Sequence, residues 1–348
     1  MLMCHNSMNR WYHMKFCKRF VEKLLIVLVM VGNAFGAPYG IGHILLPYNR
    51  DSVREINPQD GSSPQTLSLS PSVFSTSETD SGGGVALDDN LNLYVTVSDV
   101  SDTNSNSGIV VFNSNGAKVK TIDGGTIRKF RGLAIRDNII YVATTDGIYR
   151  YNATTGESLG SFGTSAAYYD VAFDSTGNLF ATTSTDVHKW NAGEFTGDGT
   201  ALGLQGLTDA RALAFDENGN LYVANGTNRN VKKYLKQGNT FQTSPVATIT
   251  VPTHGNATVI GLAFDHGIST FYVSHTRTSA NQIAYFESSV SGNVKAIAVS
   301  GTSGLSYARY LDVNPTPEPS PIALFGCGLI LVSLLMRNRR RNGKRRKA

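Results

Sequence analysis

Few side chains in this sequence are placed to do chemistry, and each candidate set is incomplete. Asp102, Asn104 and Asn106 put oxygen-bearing side chains at alternate positions ahead of Gly108, the spacing with which a loop wraps calcium. The glycine comes one position late, only one carboxylate is present, and no distal Glu follows. The stretch therefore predicts a polar hairpin loop, with a calcium site as the lesser alternative. Asp170 and Asn225 flank strand-like segments and could offer one carboxylate and one amide to a divalent ion, a thin ligand set. An Asp recurs at Asp88, Asp174, Asp216 and Asp265, each ahead of a turn. Repeated in four units, it reads as side-chain-to-backbone bonding and not as catalysis. No His-Glu-x-x-His and no Walker loop occurs, and no Gly-x-Ser-x-Gly nucleophile elbow is expected. Gly82-Gly83-Gly84 precedes a strand with no helix after it, which makes it a turn. His188, His254, His266 and His275 read as packed or surface histidines.

The elements that carry these residues emerge once the ends are set aside. The chain has 348 residues and a formal net charge of +5. Residues 1–36 hold five of the bases and one acid, and eight more bases follow Pro321, so residues 37–320 keep 18 basic against 25 acidic residues. A body this acidic lacks the clustered Lys and Arg that a phosphate backbone requires, which excludes nucleic acid as the expected partner. Cys4, Cys17 and Cys327 all lie in the ends. The body can therefore have no disulfide, no thiolate-held zinc and no cysteine nucleophile.

Both ends read as targeting segments. A basic stretch precedes the apolar core Leu24–Val31, and Ala34 and Gly36 put small residues at the −3 and −1 positions of a secretory cleavage site. Cleavage is expected between Gly36 and Ala37, leaving residues 1–36 as the leader, with Met14 as an alternative start. At the other end, 314–321 is a Pro-rich spacer containing Pro317-Glu318-Pro319, and 322–336 is an apolar run. As a helix this run would be about 22 Å long, a marginal span for a hydrocarbon core of ~30 Å. The basic segment 337–348 would stay cytoplasmic and leave the body outside. The order Pro-Glu-Pro, apolar helix, Arg-rich end resembles the PEP-CTERM sorting signal. That resemblance implies a Gram-negative bacterium and an exosortase-type enzyme that cuts near the motif. It also implies an inner-membrane-inserted intermediate and a final place on the cell surface or in an exopolysaccharide matrix.

The body is an internal repeat. GVALDDNLNLYVTV from Gly84, GLAIRDNIIYVAT from Gly132, DVAFDSTGNLFATT from Asp170, ALAFDENGNLYVAN from Ala212 and GLAFDHGISTFYVS from Gly261 align, and ARYLDV from Ala308 keeps the first half. A period in the forties is the mark of a propeller or an array. Each unit alternates apolar and polar residues, turns at Gly or Asn, and resumes with a second hairpin, so four short antiparallel strands make one blade. His43–Asn57 reads as the outer two strands of a blade lacking its inner strand, and ARYLDV as an inner strand lacking the rest. Pro58 to Thr79 reads as a long surface loop. The expected fold is all-β, a six-bladed propeller over 37–313 closed by pairing of its N- and C-terminal strands. A signal helix and a transmembrane helix would flank it.

The units resemble NHL-type blades, most closely in ALAFDENGNLYVANGTNRNVKKY from Ala212. Proteins of that wider superfamily bind proteins, RNA or sugars, and some are lactonases with a divalent ion held in the channel by Glu, Asp and Asn. Inner-strand starts here are Gly84, Gly132, Asp170, Ala212, Gly261 and Ala308, so only Asp170, with Asn225 nearby, could serve such an ion. The expected function is an exported, non-enzymatic binding or scaffold protein without a cofactor. Its partner would be an extracellular polysaccharide or a surface protein. The alternative is a metal-dependent, lactonase-like hydrolase.

Overall fold

The computed structural model describes residues 39–48, 52–69, 80–99, 107–125, 129–252, 257–275, 282–289, 294–298 and 311–313. Gly36 and Ala37, the Asp102, Asn104 and Asn106 stretch, and the tail with Pro317, Glu318 and Pro319 lie outside the described residues. Among the described residues no helix is long and apolar enough to cross a membrane.

The described residues form six four-stranded antiparallel sheets. Blade 1 joins the last strand, Asp312–Val313, to Ile44–Tyr48, Ser52–Ile56 and Thr66–Ser68. Blade 2 is Asp80–Leu87, Leu93–Asp99, Ser107–Phe112 and Lys118–Asp123. Blade 3 is Leu133–Arg136, Ile139–Thr144, Gly147–Asn152 and Ser158–Phe162. Blade 4 is Val171–Phe173, Leu179–Thr182, Val187–Trp190 and Thr200–Ala201. Blade 5 is Ala210–Phe215, Leu221–Asn225, Asn230–Tyr234 and Ala247–Thr250. Blade 6 is Val259–Asp265, Thr270–His275, Gln282–Glu287 and Lys295–Ala298. Each innermost strand contacts those of the blades before and after it, and blade 6 meets blade 1, so the ring is closed.

Side-chain alternation explains why the blades cannot stand alone. Successive residues of a strand point to opposite faces. In blade 2, Leu93, Val95 and Val97 enter the seam with blade 1, while Tyr94 enters the seam with blade 3. In blade 5, Leu221 and Val223 face blade 4, and Tyr222 and Ala224 face blade 6. The core is accordingly six apolar clusters, one in each seam. Each fully buried Leu, Ile, Val or Phe in them contributes about 1.5–3 kcal/mol relative to exposure. A blade without neighbours would leave both of its apolar faces in water.

The closing blade differs from the expectation in two respects. Ile44↔Val313 and Leu45↔Asp312 pair the two ends of the ring as anticipated. The N-terminal part, however, supplies three strands and not two. The third is Thr66–Ser68, paired with Ser52–Arg54 inside the stretch read as a loop, and Leu67 and Leu69 anchor it in the seam between blades 1 and 2. The C-terminal strand also sits two residues further along than its aligned start implied: Asp312 pairs with Leu45 as Ala86 pairs with Tyr94 in blade 2.

Candidate binding site at the channel mouth

Innermost strands all start at one end of the ring, here called the mouth. At that end the neighbouring backbones crowd together. A Cβ on Gly84 would lie 2.7 Å from the Arg131 carbonyl oxygen and 2.8 Å from the Gly132 Cα. A Cβ on Gly132 would run into the carboxylate of Asp170. Aligned starts are therefore small residues, and Asp170 is the exception that lies over a glycine.

One position earlier the repeat stops repeating. That register position holds Gly83, Arg131, Tyr169, Arg211 and Ile260. Three of these come together: the Arg131 guanidinium lies 4.0 Å and the Arg211 guanidinium 4.3 Å from the Tyr169 ring centre. They reach the tyrosine from the blades on either side of it. All three side chains are half-buried. Tyr169 rests on the apolar seam between blades 5 and 6, which contains Ala212 and Ile260.

The local backbone explains how Arg131 and Arg211 are held. Thr96 Oγ1 donates to the Arg131 carbonyl at 2.6 Å and Thr182 Oγ1 to the Arg211 carbonyl at 2.8 Å, each from the preceding blade. The register of blade 5 shifts between Ala210 and Leu213, and Arg211 stands inside that bulge, a device that re-aims a side chain. Arg131 Nη1 donates to the Tyr168 carbonyl at 2.9 Å. Arg211 Nε pairs with Asp209 Oδ1 at 2.6 Å, and Asp209 Oδ2 accepts the Thr227 N–H at 2.9 Å. Among the described residues these are the polar contacts of the two guanidiniums.

Below this row, two carboxylates face the channel. Asp170 Oδ2 accepts the Leu213 N–H at 3.2 Å, tying blade 4 to blade 5. Asp312 does the same between blades 1 and 2, its Oδ2 accepting the Leu87 N–H at 3.0 Å, while Oδ1 accepts its neighbour Val313 N–H at 2.8 Å. Burial holds the Asp170 carboxyl well above the usual carboxylate range, and the charge of Asp312 adds to that rise. Burial likewise pushes Asp312 up to about 6, against the pull of its two backbone N–H bonds. Both act as inter-blade ties.

Asn225 is fully buried and spends its amide on the loop before Ala210. Its Oδ1 accepts from Thr208 N at 3.1 Å and Asp209 N at 3.0 Å, and its Nδ2 donates to the Gly206 carbonyl at 3.3 Å. Asp170 and Asn225 thus serve separate backbone segments and do not pool their oxygens around an ion. Among the described residues, no three His, Cys, Asp or Glu side chains gather as a metal site would need. The residues do not fit the divalent ion that a lactonase-like channel would hold.

Two patterns that resemble hydrolase machinery fail on geometry. Gly156-Glu157-Ser158-Leu159-Gly160 has elbow spacing, yet Ser158 opens the exposed outermost strand of blade 3 with no helix after it. Ser165, His188 and Asp198 lie together, but His188 Nδ1 bonds the main-chain oxygen of Asp198 at 2.8 Å, and the Asp198 carboxylate accepts the Ser165 N–H at 3.3 Å. No hydroxyl–imidazole–carboxylate relay results.

The four recurring aspartates fold the opposite end. Asp216 Oδ1 accepts from Asn218 N and Asn220 N at 3.0 and 2.8 Å, and Oδ2 from Asn220 Nδ2 at 2.9 Å. Asp88 and Asp174 repeat this pattern, and Asp265 keeps its first bond, to Gly267 N at 2.9 Å. In the Asp216–Asn220 turn Gly219 takes a left-handed φ of +74°, while the preceding Asn218 does not have a positive φ.

Sequence reasoning missed Arg131, Tyr169, Arg211 and Asp312. The first three were visible one column upstream of the aligned starts. Asp312 was hidden by the two-residue register error in the last, truncated unit.

No protein-family model matches this chain, and no curated protein matches it. Solved structures do share its fold. A protein of unknown function from Bacteroides caccae is similar over 79% of this chain and 99% of its own, at 14% identity and a TM-score of 0.55. A chain of a nidogen/laminin complex is similar over 79% of this chain and 98% of its own, at 13% identity and a TM-score of 0.57. At such identities the likeness extends to the propeller alone.

Proposed function

We propose that the chain is an exported, non-enzymatic propeller that binds or scaffolds a partner through the mouth of its ring. Its place is the cell surface or an exopolysaccharide matrix, and its partner an extracellular polysaccharide or a surface protein. The leader cleaved between Gly36 and Ala37 exports it. The tail with Pro317, Glu318 and Pro319 is the substrate of an exosortase-type enzyme. A propeller fold selects no ligand by itself, so the reading rests on the site. The observation that carries it is the break in the repeat at the mouth: donors cluster at Arg131, Tyr169 and Arg211, while nearby carboxylates and amides are committed to backbone N–H groups.

Melting of the full chain with and without EDTA, beside a lactone-turnover assay, tests the non-enzymatic part. The expected result is an unchanged Tm and no turnover. A large fall in Tm reversed by calcium or zinc, together with turnover, would establish the metal-dependent hydrolase instead. Intact-mass measurement of the protein from its native host tests the sorting part. A C-terminus between Glu318 and Pro321 is expected, and one at Ala348 would overturn sorting by cleavage.

A further inference from the structure

We propose that the Arg131–Tyr169–Arg211 row is a subsite for the carboxylate groups of an acidic sugar chain. This rests on the binding reading and names its ligand. Both guanidiniums stack on Tyr169, at 4.0 and 4.3 Å from the ring centre, so the ring is covered and cannot act as a platform for an uncharged sugar. What the row still presents, among the described residues, is the guanidinium N–H groups not engaged by Tyr168 or Asp209, together with the Tyr169 phenol. Such a row selects acceptors, and a guanidinium fork matches a carboxylate with two parallel bonds.

Charge points the same way. Among the described residues the two guanidiniums form an ion pair with one carboxylate, Asp209, so the row itself keeps positive charge in a body with 18 basic and 25 acidic residues. A carboxylate that reaches the row therefore meets positive charge there. Packing on the tyrosine, with the Arg131–Tyr168 hydrogen bond and the Arg211–Asp209 ion pair, pre-orients both forks, which reduces the ordering cost of binding.

The surroundings favour a hydroxyl-rich partner over a protein. Protein interfaces centre on apolar and aromatic anchors. Among the described residues the exposed large hydrophobics are Ile41, Val119, Leu159, Val246 and Ile268. All of them lie on outermost strands or at the opposite end of the ring. The mouth-side turns carry the accessible polar residues Thr145, Thr183, Thr227 and Asn228, which suit sugar hydroxyls, together with the carboxylates Asp146 and Asp186.

The test is calorimetric titration of the full chain, held in detergent, with galacturonate oligomers, neutral dextran oligomers and a glutamate peptide of matched charge. Expected are binding of the galacturonate oligomer, none of dextran, and at least about tenfold weaker binding of the peptide. Arg131→Ala and Arg211→Ala should each weaken galacturonate binding about tenfold or more, the loss of one charged bond pair. Arg211→Lys should recover only part of it, since an ammonium cannot fork. An unchanged Tm in each variant shows that folding is intact; Tyr169→Leu, which removes the stack and keeps both charges, is the second probe and should also weaken binding. Absence of galacturonate binding, or binding indifferent to all these variants, overturns the proposal. Equal binding of the glutamate peptide through the same arginines overturns the sugar assignment and leaves the binding reading standing. Lactone turnover would remove both.

Discussion

The two ends of the ring are built by different rules. At the end away from the mouth, three blades close their first turn with the same Asp-to-Asn pattern, and a fourth keeps its first bond. At the mouth, five equivalent positions carry Gly83, Arg131, Tyr169, Arg211 and Ile260, no two neighbours alike. Every blade faces the same geometric problem at its turn, so one solution recurs. Nothing in the ring geometry asks for two arginines around one tyrosine. Repetition here marks structure, and departure from it marks where the proposed binding row lies.

That contrast belongs to the non-repeating column alone, because the repeating column beside it is structural at the mouth as well, most clearly at Gly132. An added methyl would meet the Asp170 carboxylate and lie 2.9 Å from the Asp170 Cα. The carboxylate cannot swing away freely, because it holds the Leu213 N–H. Gly132→Ala should lower stability by about 3 kcal/mol, the upper range of overpacking costs, as read by urea denaturation of the full chain. A loss below about 1 kcal/mol would mean that the inner strands are looser than these contacts indicate.

The turn aspartates come next. Asp216→Ala removes the acceptor of three N–H groups and the partner of Lys233, whose Nζ is 3.5 Å away. Bonds to a charged group suggest a cost of about 2 kcal/mol. Affinity for any ligand at the mouth should not change. A variant that kept its stability and lost affinity would reverse the assignment of the two ends.

Most of the ring was legible in the sequence because its determinants are local. Alternation in LYVTV and LYVAN, and the Asp and Gly or Asn of the turns, lie within a dozen residues. Thr66–Ser68 was not legible: a three-residue strand in a Ser- and Pro-rich stretch has no period to detect, and only its pairing with Ser52–Arg54 makes it a strand. The mouth was half legible. Arg131, Tyr169 and Arg211 meet because three blades converge, with 38 and 42 residues separating them in sequence. Asp170 and Asn225 were singled out by residue type, but type alone did not reveal that their oxygens are already taken by backbone.

Asp312 sharpens the comparison, since it is an inner-strand carboxylate that, like a turn aspartate, is spent on backbone N–H groups. Its folded pKa of about 6 exceeds the ~3.9 of an unfolded Asp, so the folded form holds its proton more tightly. The resulting stabilisation is full below about pH 4 and is lost as pH rises through about 6. Asp170 shifts in the same direction. Between pH 4 and 7 the wild-type chain should therefore lose on the order of 1–2 kcal/mol that Asp312→Asn does not lose, after allowance for partial exposure. Stability curves measured across this range should converge at low pH and separate above it. Parallel curves would mean that the carboxyl is ionised throughout.

The smallest effect tests the turns against one another. Gly177 and Gly219 take left-handed φ values of +86° and +74° at the position where blade 2 has Leu91, with φ of +60°. A leucine there costs roughly 1–2 kcal/mol in backbone strain, while glycine costs about 0.5–1 kcal/mol through the extra freedom of the unfolded chain. Leu91 is half-buried, so some apolar contact is given up as well. The balance predicts that Leu91→Gly raises stability by about 0.5 kcal/mol, a small upward shift in the urea midpoint with no change in slope. A fall of similar size would show that the leucine side chain outweighs its own backbone, and that the shared turn is less uniform than its hydrogen bonds suggest.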